Sequence, residues 1–379
     1  MKIGFDAKRA VQNFTGLGNY SRYVIEALLH FDDKNSYDTY SPKRVVNKQF
    51  SNITNSYNNI TEHYPNTWFG RKFPTFWRTW NIWHDIDADN IDIYHGLSNE
   101  LPLSIKHCQH TKSVLTMHDL IYLRLPQCYT FLDRKLYNFK YKRSCKNADL
   151  IIAVSECTKR DIVELYGIDA KKIEVIYQGC DPSFAQKSSD EKKAEVKRRY
   201  NLPDKYVLSV GSIEERKNAL SLVKTLPLLP TDIHIVLVGK HTKYTNRIIE
   251  WAEKNSVSQR LHILNKVSFI DLPTVYQMCQ TFVYPSVYEG FGIPIVEALN
   301  SQVPVVAATG SCLEEAGGPN SIYVAPNDVD AIYRAITQTF DVSTRNKMIE
   351  AGIEWAKRFS QKELAAQTIA CYQRLLTQQ

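Results

Sequence analysis

Two glutamates, Glu289 and Glu297, stand eight positions apart around Gly290-Phe291-Gly292-Ile293-Pro294. The glycines let the backbone turn sharply and bring bare N–H groups close to a ligand, while a helix opening at Pro294 turns its positive end to the same place. Anion binding is the chemistry this arrangement suits. One carboxylate beside the glycines and one about a turn into the helix can accept hydroxyls at two separated parts of a long ligand, such as a sugar and a ribose. A second group lies on Gly211-Ser212-Ile213-Glu214-Glu215-Arg216-Lys217-Asn218. Arg216 and Lys217 fall where a helix begins, a poor place for cations unless an anion joins them, and phosphate is the natural partner. A third pair, His118-Asp119, closes the apolar run 113–117. In an open α/β sheet, ligands sit beyond the carboxyl ends of strands. Taken singly, each group also fits a plain strand–turn–helix corner, two surface cations or a structural histidine.

The elements that hold these residues come in two series. In the second half, apolar runs at 206–210, 233–238, 261–264, 281–284, 303–307 and 321–324 alternate with helical stretches, the pattern of a parallel, doubly wound sheet. In the first half, a strand at 2–6 precedes a glycine loop at 13–20 and a helix from Ser21, and apolar runs at 91–95, 113–117 and 149–155 read as further strands. Gly16 and Gly18 lack the third glycine of a dinucleotide fingerprint, so they do not indicate NAD. Ser155 is placed to cap the helix 156–166. Residues 43–66 show no clean period. The stretch 68–83 holds four of the six tryptophans. Its spacing at 73, 76, 77, 80 and 83 is that of a helix packing aromatics into a core, and its Arg and Lys also fit an interfacial segment or a stacking surface for a sugar. Asp85-Ile86-Asp87-Ala88-Asp89-Asn90 lacks the glycine and the closing Glu of a calcium loop and reads as a solvated turn.

The chain has 379 residues, 44% hydrophobic and 23% charged, enough for two domains. Eight scattered cysteines without a Cys-x-x-Cys pair point to a reducing compartment and away from structural zinc. The first strand begins at once and no apolar run approaches membrane-spanning length, so a cytoplasmic protein is expected. The net charge of +7 is local: residues 101–148 carry nine Lys/Arg against two Asp. Such a patch suits anionic lipid or an acidic acceptor as well as a solvated helix face. Nucleic acid is not an expected partner.

The Glu289-to-Glu297 element, with Gly-Phe-Gly-Ile-Pro between, resembles the Glu-x7-Glu motif of the family 4 retaining glycosyltransferases. The resemblance spans nearly the whole chain. It implies the GT-B fold, two Rossmann-like doubly wound parallel-sheet domains facing a central cleft: an acceptor domain over 1–182, a nucleotide-sugar domain over 183–358, and a final helix over 359–379 returning to the first. It implies that Arg216 and Lys217 grip the donor diphosphate together with Gly211, Gly290, Phe291 and Gly292. Glu289 would hold donor-sugar hydroxyls, Glu297 the ribose, and His118 the donor sugar from the opposite domain. Gly16 and Gly18 would reach the diphosphate, and Lys240 and Val267 would lie at the base. Family members often carry Arg where Ser212 stands and Gly-Tyr where Asn265-Lys266 stand. The expected activity is metal-independent, retaining transfer of a sugar without any cofactor, mannose from GDP-mannose being preferred over UDP-linked donors. The expected acceptor is a glycan or lipid-linked acceptor of bacterial surface polysaccharide synthesis, with peripheral membrane contact through the basic, aromatic first domain. A sugar-nucleotide epimerase of the same fold and a non-catalytic nucleotide-sugar-binding subunit remain open as alternatives.

Overall fold

Strand-forming apolar runs build two all-parallel sheets in this computed structural model, which describes residues 1–377. The first sheet contains β1 (Lys2–Asp6), β2 (Ser36–Tyr40), β3 (Ile60–His63), β4 (Ile93–Gly96), β5 (Lys112–Met117), β6 (Leu150–Ala153) and β7 (Ile173–Val175), in the order β3-β2-β1-β4-β5-β6-β7. The second contains β8 (Tyr206–Val210), β9 (His234–Val238), β10 (Leu261–Leu264), β11 (Thr281–Tyr284), β12 (Val305–Ala308) and β13 (Ile322–Val324), in the order β10-β9-β8-β11-β12-β13. Both are Rossmann-like. In each, the chain winds outward one way and then the other, so the strand order switches between β1 and β4 and between β8 and β11. Carboxyl ends of strands beside such a switch diverge and leave a crevice.

The chain divides into two compact units, residues 1–178 with 360–379, and residues 179–359. Within the first unit, successive residues of one strand feed opposite faces: Ile93, Val114 and Ile152 join one core cluster, and Tyr94, Leu115 and Ile151 join another. Alternation of this kind is what a sheet covered by helices on both faces requires. The helix Gln361–Thr377 belongs to this unit and packs on the helix Gly16–Phe31. It buries Leu364, Ala365 and Tyr372 in the first core cluster, and the Tyr372 hydroxyl lies 2.6 Å from Nδ1 of His95.

Three local expectations need correction. The helix after the first loop begins at Gly16, not Ser21, because Asn13 Oδ1 accepts from the Thr15 amide at 2.7 Å and closes the loop early. Gly18 sits in that first turn, where a Cβ would come 1.9 Å from the Asn13 carbonyl oxygen. Residues 85–88 are helical rather than a solvated turn, with Asp85 Oδ2 accepting from Trp77 Nε1 at 2.6 Å. The aromatic stretch is no single core helix. It breaks at Pro74 and passes through a π-helical turn at Trp77–Asn81, which buries Trp77 but leaves Trp68, Phe69, Phe73, Phe76 and Trp80 exposed.

Candidate active site

Every element of the second-unit site ends at the carboxyl rim of β8 to β11. After β8 the chain forms a short 3-10 turn at Glu215–Lys217, and Asn218 in the left-handed region starts the helix Ala219–Val223. After β11, Pro285 stops the strand and the loop through Phe291 leads into the helix Ile293–Asn300, with Pro294 in its first turn. Gly292 is required by close approach, since a Cβ there would lie 2.9 Å from the Ala316 Cβ. The two loops are tied together by the Val287 amide, which donates to the Arg216 carbonyl at 2.9 Å.

That tie brings the predicted cations to the predicted carboxylate. Arg216 Nη1 stands 2.8 Å from Glu289 Oε2, and Lys217 Nζ stands 2.5 Å from Glu289 Oε1. Ser286 Oγ also donates to Oε1 at 2.6 Å, and Tyr284 Oη does so at 3.0 Å while accepting from Lys217. Burial alone would raise the Glu289 carboxyl, but the charges of Lys217 and Arg216 outweigh it and hold it at about 2. Glu289 is therefore ionised throughout the working range, and the anion facing the two cations is its carboxylate. Glu214 Oε1 accepts from Arg216 Nη2 at 2.9 Å on the outer side.

Glu297 lies away from this cluster of charges. Its Oε2 accepts from Tyr276 Oη at 2.8 Å. Burial raises its carboxyl to about 7, against the opposing pull of that hydrogen bond. Gly211 and Lys240 follow β8 and β9 on the same rim, and Val267 follows β10; Lys240 is exposed and Val267 half-buried. Phe291 is buried against Phe359, the ring centroids 5.5 Å apart.

Three contributors escaped the sequence reading: Ser286 and Tyr284 hold Glu289, and Tyr276 holds Glu297. The Cys312 thiol donates to the carbonyls of Glu289 and Phe291 at 3.1 and 2.6 Å, pinning the loop. The position of Tyr284 as the last residue of β11 was the one available signal.

In the first unit, His118 directly follows β5, as expected, and is buried. Its Nε2 lies 2.9 Å from the Leu97 carbonyl, which makes Nε2 the donor and Nδ1 the acceptor of a neutral ring. Burial lowers its pKa to about 4, so the ring stays neutral at physiological pH. Tyr20, from the helix that carries Gly16 and Gly18, packs edge-on against it at 4.5 Å.

Known families match both units. The profile described as "Glycosyltransferase Family 4" matches residues 32–184, and that described as "Glycosyl transferases group 1" matches residues 190–355. An O-antigen chain mannosyltransferase B of Escherichia coli is 33% identical over 290 residues, covering 75% of this chain and 74% of that protein. The chain belongs to the family 4 glycosyltransferases. Like other members, this glycosyltransferase has the GT-B fold: a crystallised glycosyltransferase from Rickettsia africae superimposes with a TM-score of 0.78 at 21% identity, covering 100% of this chain and 99% of that one. An O-antigen chain mannosyltransferase RfbU of Salmonella typhimurium is 29% identical over 223 residues, 59% of each chain.

Proposed function

We propose that this glycosyltransferase moves mannose from GDP-mannose to a glycan or lipid-linked acceptor in bacterial surface polysaccharide synthesis, with retention at the anomeric carbon and without a metal. The observation that carries the reading is the pair of cations, Arg216 and Lys217, gathered on one carboxylate at the β8/β11 switch. Similarity to two O-antigen chain mannosyltransferases supports mannose as the sugar. The enzyme works in the cytoplasm, peripheral on the inner face of the cell membrane, where a lipid-linked acceptor is presented.

As the donor arrives, its diphosphate takes the place of Glu289 on Arg216 and Lys217, and Glu289 turns to the sugar hydroxyls. The N–H groups of Gly290 to Gly292 and the first residues of the helix Ile293–Asn300 face the same phosphates. Gly16 and Gly211 leave room for the diphosphate, and Gly18 lets the turn that carries Gly16 close against the Asn13 carbonyl. Glu297 accepts from the ribose hydroxyls, Lys240 and Val267 border the base, and His118 offers Nδ1 to the donor sugar. During transfer, the bond from the anomeric carbon to the phosphate oxygen breaks and a bond to the acceptor oxygen forms on the same face. The acceptor proton passes to the departing phosphate, so no carboxylate base is needed. Fixed cations stabilise the charge that grows on the leaving diphosphate, and preorganised charge of this kind usually lowers such barriers more than any other single effect.

The test is a melting-temperature titration of the whole chain with GDP-, UDP-, ADP- and CMP-linked sugars in the presence of a chelator, followed by product analysis with a mannan or lipid-linked acceptor. GDP-mannose alone should stabilise the protein, and the product should be an α-mannoside. Stabilisation by a UDP-linked sugar alone overturns the donor, and a chelator-sensitive reaction overturns metal independence. A sugar nucleotide altered without acceptor would establish the epimerase instead.

A further inference from the structure

The helix Phe131–Asn147 has two apolar sides. Its inner side buries Ser144 and Cys145 and sets Tyr137 and Tyr141 against Tyr122, with ring centroids 5.9 and 5.8 Å from the Tyr122 ring. Its outer side should be polar if it faced only water. Instead, Phe131, Leu132, Leu136 and Phe139 are 58%, 77%, 49% and 56% exposed. Leu132, Leu136 and Phe139 recur at i, i+4 and i+7, so they form one stripe, which Arg143 continues. Exposed apolar surface concentrated in this way marks docking rather than accident.

The charge on the same helix has one sign. Arg134, Lys135, Lys140, Lys142, Arg143 and Lys146 oppose Asp133 alone. Lys135 Nζ lies 4.5 Å from the Phe131 ring centroid, and the Arg134 guanidinium carbon lies 5.8 Å from it, so the cations ride beside the apolar stripe. A cavity of about 340 Å3 opens at the start of the helix among Tyr122, Leu123, Pro126 and Phe131, and Arg134 and Lys135 also line it. Nε of Arg134 is buried there without a hydrogen-bond partner among the described residues.

We propose that this helix docks flat on an anionic lipid bilayer, its stripe entering the headgroup region, its cations meeting lipid phosphates and Arg134 receiving one at the cavity. A row of like charges along the whole helix suits a fluid array of phosphates, and long basic side chains reach upward while their neighbours sink. The helix lies on the membrane and does not cross it, since no helix among the described residues is long and apolar enough to do so. Docking of this kind rests on the reading of a lipid-linked acceptor, and its test is independent of any sugar nucleotide.

The test is co-sedimentation of the full chain with phosphatidylcholine vesicles, alone or with about 40 mol% phosphatidylglycerol, at low and high salt. The expected result is binding to the anionic vesicles that weakens with salt. The triple variant L132E/L136E/F139E should bind about tenfold less, since it removes the inserting stripe and adds repulsion, while it keeps its stabilisation by nucleotide sugar. The variant K135Q/R143Q/K146Q, altering exposed cations only, should flatten the salt dependence. Equal binding to neutral and anionic vesicles, no binding to either, or a triple variant that binds like the wild type overturns the proposal. A wild-type chain that binds neither vesicle yet transfers to a soluble acceptor sinks the docking alone, and a wild-type chain that binds the anionic vesicles without donor stabilisation sinks the donor reading alone.

Discussion

At the switch point of each sheet stands a row of charged side chains, and the two rows are opposite in sense. In the second unit a carboxylate, Glu289, lies between two cations, Arg216 and Lys217. In the first unit a cation, Arg78, lies between two carboxylates: it binds Asp6 at the end of β1 through Nε at 2.8 Å and Nη2 at 2.5 Å, and Glu100 just past β4 through Nη1 at 2.9 Å. Asp6 is 1% exposed and Arg78 9%. The guanidinium fork of Arg78 is thus spent on both sides, and the row locks the aromatic segment to the sheet. The Glu289 row differs in that a single carboxylate neutralises two cations. Under the proposed donor binding, one row holds the fold while the other exchanges its carboxylate for a diphosphate, so the same place in the same topology would serve structure in one unit and chemistry in the other.

Breaking the first row should have the largest effect. Arg78→Met leaves Asp6 buried without its partner, and such losses cost about 3–5 kcal/mol. Chemical denaturation should show this drop, and the double variant with Asp6→Asn should recover part of it. If Arg78→Met leaves stability unchanged, the row is not a lock. In the second row, Lys217→Ala should lower kcat by a factor on the order of 10²–10³, as does removal of one preorganised donor to a developing charge, with little change in melting temperature without ligand. An equal loss in stability would make Lys217 structural and erase the contrast. Glu289→Gln should sharpen it further: GDP should bind several-fold tighter in calorimetry because the cations are no longer neutralised, while transfer slows. Weaker GDP binding would contradict the exchange of anions.

The smallest effect concerns pH. Ionised Glu297 accepts hydroxyls and protonated Glu297 accepts them less well, so with its carboxyl near 7 donor affinity should climb several-fold between about pH 6 and about pH 8. Glu297→Gln should flatten that profile. For stability the sign is opposite. A carboxyl raised from 4.5 to about 7 in the folded chain contributes stability that is complete below 4.5 and disappears as pH rises through about 7.

The β-strands of the second unit were legible because each is a short, continuous apolar run between turn residues. The first unit hid more. Its β3 carries the half-polar Ile60-Thr61-Glu62-His63 at a sheet edge, and its aromatic segment carries a helical period broken by Pro74 and a π-turn. At the site, residue types pointed to an anion crevice, but the meeting of Lys217 with Glu289 spans 72 positions and no local pattern encodes it. The contacts of Cys312 with the carbonyls of Glu289 and Phe291 span 23 and 21 positions, beyond any local pattern too. The helix Phe131–Asn147 was legible by its charge but not by its outer apolar stripe, because apolar residues on both its sides cancel the periodic signal that would have singled out that face.

The closing helix gives the chain an order of events during synthesis. Leu364, Ala365, Cys371 and Tyr372 complete a core whose other buried members lie before residue 179, and Tyr372 bonds His95 across 277 positions. A nascent chain leaves the ribosome from its N-terminus, and domains generally fold as units when they become complete. The second unit, although begun later, has all its residues first, while the earlier-made sheet must wait with an open flank until the last turns of helix emerge.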